Sequence, residues 1–465
     1  MTRNNVSPSP RPAALFAPVD IASLVVFRIG FGAILLWEMY RFASYDWIAR
    51  YWIEPPFHFT YYGFDWIRPW PGDGMYYHCG VLAFLATAIL FGFFYRICAA
   101  LFFVGFTYLF LLEQARYLNH LYLVCLLSFL LILIPAHRAF SFDALSRPRL
   151  RSSTAPAWSL WILRAQIGIV YFYGGLAKLN ADWLRGEPIR RWLATRSELP
   201  VLGQFVEKEW MVSIFAYGGL LLDLLIVPFL LWRKTRLVAF LLGLVFHLTN
   251  AWVFNIGIFP WFMIVATTLF FAPDWPRRLL RLPPRPALIG AQPSPAAARG
   301  ITAFFVLYLA IQCLIPLRHF LYPGNVSWTE QGHKYAWHMK LRAKSGRGIF
   351  EITDPVSNAT WTVDGSGYLT DWQASKMWGH PELILQMARH LSGTLRAEGY
   401  PEIEVRARVY ATLNGRKPAL LIDPTVDLGR QPRDLRPAPW ILPLLEPLPP
   451  PRNREEKRET VASGE

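Results

Sequence analysis

The sequence predicts an α-helical polytopic membrane protein of about nine transmembrane helices, followed by a C-terminal extracytoplasmic β-rich α+β domain. Three observations predict it. Hydrophobic residues make up 54% of the chain and aromatics 16%, with only 17% charged, whereas soluble domains carry about a quarter charged residues. Apolar runs near the length a bilayer requires recur through the first two thirds. Beyond residue 322 these runs stop and a two-residue alternation takes over.

The apolar spans fall at 19–40, 75–95, 98–113, 120–136, 158–178, 211–232, 237–254, 257–272 and 300–317. Only "YRIC" separates the second from the third, and only "FNIG" the seventh from the eighth, so each pair reads as a tight helical hairpin or a kinked helix. Lysine and arginine concentrate in alternate loops: Arg96, then Arg138 to Arg151, then Arg233 to Arg236, then Arg277 to Arg285. The positive-inside tendency assigns these loops and the N-terminus to the cytoplasm. The C-terminal part then lies outside: in the periplasm of a bacterial inner membrane, or in an organelle lumen in a eukaryote. The Arg-, Ala- and Pro-rich composition favours the bacterial setting.

The domain reading is a cytoplasmic tail over 1–17, a membrane domain over 18–322, a β-rich domain over 323–450 and a disordered tail over 451–465. Residues 274–299 form a Pro/Ala/Arg linker. Within the outer domain, Ile403, Val405, Ala407, Val409 and Ala411 alternate with polar residues, the period of a half-buried strand. Asn414-Gly415 then signals a two-residue hairpin, with "PALLID" as the return strand. "FEI" and "TWTV" read as further strands, and 381–398 as an amphipathic helix.

Several function classes are excluded. The net charge of +15 is spread through short loops between apolar spans, which serves membrane orientation and leaves no base-reading element, so no nucleic acid is expected. The expected partner is membrane lipid. Cys79, Cys98, Cys125 and Cys313 lie in or beside apolar spans, without a disulfide framework or a zinc spacing. No metal signature, phosphate loop or nucleophile elbow is present.

Ionisable residues within spans carry the candidate chemistry, because their burial is costly. Tyr171, Gly174, Gly175 and Lys178 share a helix face in "VYFYGGLAKLNADWLRG". The glycines admit a second helix or a flat ligand beside the amine. Burial favours the neutral amine, which accepts protons; Asp182, one turn on, favours the charged one. Spacing alone leaves two readings: a dry base, or a lysine reaching for water and paired with Asp182. His120, His137 and His247, with Asn250 one turn beyond the last, are polar groups that serve either a ligand or a neighbouring helix. Arg138 and Asp143 bracket a span end, as an ion pair or a helix cap.

Taken together and in order, "YLNHLYLVCLLSFLLILIPAHRAFSFDAL", "VYFYGGLAKLNADWLRG", "GGLLLDLLIVPFLL", "FHLTNAWVFNIGIFPWFM", "HFLYPGNVSWTEQGHKYAWHMKL" and "LIDPTVDL" resemble the vitamin K-dependent gamma-carboxylases over about residues 18–450. The vertebrate enzymes have an additional C-terminal β-domain. The resemblance implies an integral membrane enzyme that uses reduced vitamin K (a naphthohydroquinone), O2 and CO2, and no metal. Such enzymes oxidise the quinol to its epoxide and use the strong base so generated to deprotonate and carboxylate glutamate.

The family's catalytic base is the second lysine of "KKLDADW", which aligns with Lys178; the first is Ala177 here. The family's "NNH" stretch aligns with Asn119 and His120. Phe259, Met263, Trp337 and Met339 align with apolar positions near the quinone, beside Tyr171, His247 and Asn250. One departure stands out: an Asn-His pair implicated in quinone or carbanion handling is His137-Arg138 here. His137 is its candidate substitute, and the alternatives are a quinol epoxidase without carboxylation or a non-catalytic receptor on the same scaffold. The cysteines that tie the vertebrate domains together are missing, so noncovalent packing is expected between the two parts.

Overall fold

The computed structural model describes residues 12–200, 203–283 and 293–449. The expected tails, except for residues 12–17, and the middle of the 274–299 linker lie outside the described residues. A helix covers most of each apolar stretch: α1 (Ala22–Ser44), α2 (Gly74–Phe91), α3 (Tyr95–Leu111), α4 (Asn119–Leu133), α5 (Ala157–Leu176), α6 (Glu209–Leu231), α7 (Arg236–Phe254), α8 (Phe259–Thr267) and α9 (Pro295–Leu314). Among the described residues, five helices are long and apolar enough to cross a membrane, those beginning at Ala22, Gly74, Glu209, Arg236 and Pro295; three shorter apolar helices accompany them.

The two short separators are tight turns. Gly92 and Phe94 turn α2 into α3, and Asn255 and Gly257 turn α7 into α8, all four with positive φ. That conformation reverses a chain within a few residues and favours Gly and Asn. Helices α1 to α4 pack in sequence; α5 packs on α6, α6 on α7, α7 on α8, and α8 returns to α1. The shared core is aromatic and aliphatic, with Phe27, Phe31, Phe102, Phe106 and Phe262 interlocked.

Two buried charges in this bundle, Arg28 and Asp143, are satisfied by backbone, as a low-dielectric interior requires. Arg28 of α1 donates to the carbonyls of Ala136, at 3.0 Å, and Phe140, at 2.6 Å, in the loop after α4. Asp143 accepts from the N–H groups of Phe94 and Tyr95 at 3.0 and 2.9 Å. It therefore caps the start of α3, where the unpaired N–H groups and the helix dipole favour a carboxylate.

The outer part holds a four-stranded antiparallel sheet, with β1 (Lys344–Asp354) between β2 (Ala359–Val363) and β3 (Glu404–Leu413), and β4 (Ala419–Leu420) beyond β3. Helix α10 (Pro381–Ala397) packs on β3. Val405, Ala407, Val409 and Ala411 all face the core, as their alternation predicts. The expected two-residue hairpin is wider. Asn414 and Gly415 both have positive φ, but pairing resumes only at Ala419, opposite Ala411. Pro418 has no N–H to offer a ladder, and the Asn414 N–H is spent on the carbonyl of Ala343.

The outer part docks through polar side chains at one contact region: Gln373 donates to Glu113 at 2.9 Å, and Gln386 to Gln114 at 2.8 Å and to the carbonyl of Thr60 at 3.2 Å. All four cysteines are free.

Candidate active site

A cavity of about 880 Å³ runs from the helices into the outer part. Its inner half is lined by Tyr171, Lys178, Asp223, His247, Phe259 and Met263, with His120 and Asn250 on the same wall. Lys178 stands at the C-terminal end of α5 and is 6% exposed. Its amine donates to Asp223 of α6 and, at 3.1 Å, to the carbonyl of Gly174. The indole of Trp183 lies 5.3 Å from the nitrogen, a further favourable contact for a cation.

Glycine makes this pairing possible. A Cβ on Gly175 would fall 2.8 Å from the Leu224 side chain and 3.0 Å from its backbone nitrogen, so α5 and α6 touch backbone to backbone. A Cβ on Gly174 would meet Met339 Cε at 3.0 Å and the Asp223 carboxylate at 3.4 Å. Of the second helix and the flat ligand that the glycines leave open, the second helix is thus present, and it brings a carboxylate.

Asp182 is not the partner of Lys178. Its carboxylate accepts from Arg416 Nη1 and Nη2, at 2.6 and 2.7 Å, and from Asn414 Nδ2 at 2.8 Å, all on the outer hairpin. Asn180 explains the direction. It caps the short helix that follows, accepting from the Trp183 N–H at 3.0 Å, and this turns the chain away from the axis of α5. The i,i+4 relation therefore never forms.

Tyr171 donates its hydroxyl proton to, or accepts one from, His247 Nε2 at 2.7 Å. The His247 and His120 rings flank Phe259, with centroids 6.3 and 6.4 Å away. Asn119 reaches the cavity wall, and its amide donates to the carbonyl of His338 at 3.0 Å, tying α4 to the outer segment. Met339 completes the apolar wall.

His137 and Trp337 are placed elsewhere. His137 lies past the far end of α4, stacked on Tyr95 in the loop that wraps Arg28, and does not line the cavity. At about 1.5 Å per residue, α4 alone separates it from His120 by about 20 Å. Trp337 is fully buried behind the wall, with its ring 5.2 Å from Tyr122. It supports the segment without touching the cavity.

That segment is strained. Tyr335, Trp337 and Lys340 have φ of 64°, 58° and 50° without being glycine. Such residues cost about 1–3 kcal/mol each and persist where the surrounding packing demands them. Here they turn His338, Met339 and Lys340 onto the cavity wall.

The outer half of the cavity is charged, with Lys334, Lys340, Arg342, Lys344 and Lys376 lining it around Glu330. Burial alone would push the Glu330 carboxyl up, but Arg342, Lys344 and His380 outweigh this and hold it at about 2. Burial pulls Lys344 down to about 8, against the opposing pull of Glu330. It also pulls His338 and His380 down to about 3, so both are neutral at pH 7. Glu330 is thus the lining carboxylate among five cationic side chains, one of which, Lys334, is also paired with Glu382 at 2.8 Å. No group of His, Cys, Asp and Glu among the described residues is arranged to hold a metal ion.

Two family models match the chain: the HTTM domain over residues 16–275, and the vitamin K-dependent gamma-carboxylase lumenal domain over 298–447. The chain belongs to the vitamin K-dependent gamma-carboxylase family. No solved structure matches it. As a member, this chain is a multi-pass membrane protein with a gamma-carboxylase-like function, and the family implies use of vitamin K. The two matches divide the cavity between them: Lys178 and Asp223 belong to the first, and Glu330 to Lys376 to the second.

Asp223 is the site residue that sequence reasoning missed, although "GGLLLDLLIVPFLL" displays a lone carboxylate in an apolar span. Such a residue signals a function or a buried partner. The cationic outer half had no comparable signal, because its members are scattered over 330–376 in an ordinary mixture of charges.

Proposed function

We propose that this protein is a vitamin K-dependent gamma-glutamyl carboxylase-like enzyme, with Lys178 as the base that activates the quinol. The observation that carries the reading is the buried Lys178–Asp223 pair in an apolar, aromatic- and thioether-walled cavity whose outer half is cationic. A flat apolar ring fits such walls. Tyr171, His247, Phe259, Met263 and Met339 would hold a reduced naphthoquinone, with Asn119, Asn250 and His120 offering polar contacts at its edge. On reaction with O2, that group supplies the strong base that glutamate deprotonation needs.

The chain's own residues account for the rest. Lys178 Nζ would be the proton acceptor, with the Asp223 carboxylate beside it to hold the ammonium that forms. A hydroxyl proton accepted at Nζ then creates an ammonium that holds the oxyanion formed beside it. The apolar walls exclude the water that would quench a strong base. In the outer half, Lys340, Arg342 and Lys376 suit a glutamate carboxylate of a protein substrate, and CO2 is the co-substrate. The basic alternate loops support a cytoplasmic N-terminus and an outer, periplasmic C-terminal domain in a bacterial inner membrane.

The position of His137 favours a second reading: it is too far from the cavity to replace the family's Asn-His pair, which supports quinol epoxidation without carboxylation. A single assay separates the readings. Full-length protein is supplied with reduced vitamin K, a glutamyl peptide and labelled CO2, and epoxide and fixed label are both measured. Both products support the carboxylase, epoxide alone supports the epoxidase, and neither supports a non-catalytic receptor. Lys178→Ala is expected to abolish epoxide formation in folded protein; epoxide at the wild-type rate would overturn the role of Lys178.

A further inference from the structure

The turn that carries Lys178 is held from the outer domain. Within it, Asn180 closes the local structure, donating to the carbonyl of Ala177 at 2.8 Å and capping the helix that begins at Ala181. Asp182 is left pointing outward, and the tip of the β3–β4 hairpin takes it. Arg416 grips the carboxylate with two nitrogens, at 2.6 and 2.7 Å. A two-pronged guanidinium–carboxylate pair fixes plane as well as distance. The two side chains are 8% and 10% exposed, so neither water nor salt loosens them readily.

Asn414 joins this grip to the opposite cavity wall. Its Nδ2 donates to Asp182 at 2.8 Å, while its Oδ1 accepts from the Ala343 N–H at 2.8 Å. Its own N–H donates to the Ala343 carbonyl, also at 2.8 Å. Ala343 directly follows Met339–Arg342, which line the outer cavity. Gly415 lets the tip fit: its φ is +84°, and a Cβ there would collide with the Arg191 guanidinium.

We propose that the hairpin tip Asn414–Arg416 is a positioning element for Lys178, acting through Asp182, and that seating of the outer domain thereby sets the amine against the cavity's outer wall. Asp182, Asn414 and Arg416 are positioning residues, since none lines the cavity. The inference rests on the reading of Lys178 as the base, but its structural half does not need turnover to be observed.

The test uses the full chain in lipid and the variants Asp182→Asn, Arg416→Gln, their combination, and Arg416→Lys. Lys178 labelling by a membrane-permeant amine reagent is followed by mass spectrometry, alongside Tm and the kcat and KM for reduced vitamin K. Gln386→Ala, at the separate docking contact, is the control. Lys178 labelling is expected to rise several-fold in each neutral variant and no further in the combination, with Arg416→Lys intermediate. Turnover is expected to fall through kcat with KM for the quinol unchanged. Wild-type labelling in a folded neutral variant would overturn the proposal, as would an equal rise in Gln386→Ala at equal loss of Tm. If Arg416→Gln does not fold, Arg416→Lys decides by the same labelling. Absence of quinol turnover in the wild type would remove the base reading, while the labelling would still decide whether the clamp exists.

Discussion

Lys178 and Asp223, 45 residues apart, meet as a buried ion pair between α5 and α6. Gly174 and Gly175 allow it, because they remove the side chains that would hold the two helices apart. A buried pair of this kind stabilises little relative to an apolar replacement, whereas breaking it leaves one charge unpaired at a cost of about 3–5 kcal/mol.

Asp223→Ala is therefore expected to lower stability by about 3 kcal/mol and to abolish epoxide formation. The pair Lys178→Met with Asp223→Leu should recover Tm while remaining inactive. Thermal melts and the epoxide assay on the three proteins separate the structural from the chemical role; activity in the double variant would contradict the chemistry proposed for the pair.

The two glycines should respond differently. Gly175→Ala meets backbone and a branched side chain of α6 and is expected to destabilise by about 1–3 kcal/mol. Gly174→Ala meets the end of the flexible Met339 side chain, so the fold should hold. There the apparent KM for the quinol should rise as the cavity narrows, which melts and kinetics on the two variants will distinguish.

Tyr171→Phe leaves His247 Nε2 buried without its partner. An unsatisfied buried polar atom costs about 1–3 kcal/mol, so Tm should fall measurably. The quinol KM should rise with it, because the His247 ring loses its anchor on the cavity wall.

His137→Ala should leave kcat unchanged, since the ring packs on Tyr95 outside the cavity. His120→Ala, on the wall itself, should reduce turnover without a matching loss of Tm. Equal kinetic effects from both would indicate that the far loop serves the chemistry after all.

Acid should loosen the outer domain. The folded pKa of Glu330 is about 2, below its ordinary 4.5. Such a group contributes stability above its unfolded value and loses that contribution as pH falls through the folded one. The contribution is thus present at pH 7, begins to go near pH 4.5 and is gone near pH 2. Glu330→Gln should lower Tm at pH 7, by about 3 kcal/mol in stability, and flatten the acid limb. Melts between pH 7 and 3 test both.

Much of this protein is legible along the chain. Each apolar stretch forms a helix, the alternation at 403–413 forms a strand with the expected face inward, and 381–398 forms the expected helix to within a residue. Hydrophobic period is local and survives any tertiary arrangement, which is why these elements could be read. The inner wall of the cavity was legible through resemblance: Lys178, Tyr171, His120, His247, Asn250, Phe259, Met263 and Met339 all line it.

Partner choice was not legible, because it depends on which helices touch. Spacing offered Lys178 the nearest carboxylate, Asp182; the cap at Asn180 turned that residue outward to Arg416, and the close approach at Gly175 delivered Asp223 instead. The same limit keeps His137 from the cavity wall, since most of α4 stands between it and His120. By itself the sequence determined the elements, the membrane class and which amine is the candidate base. The tertiary structure alone decided which carboxylate that amine meets, because a charge in a dry interior must find a partner and only packing determines which one is within reach.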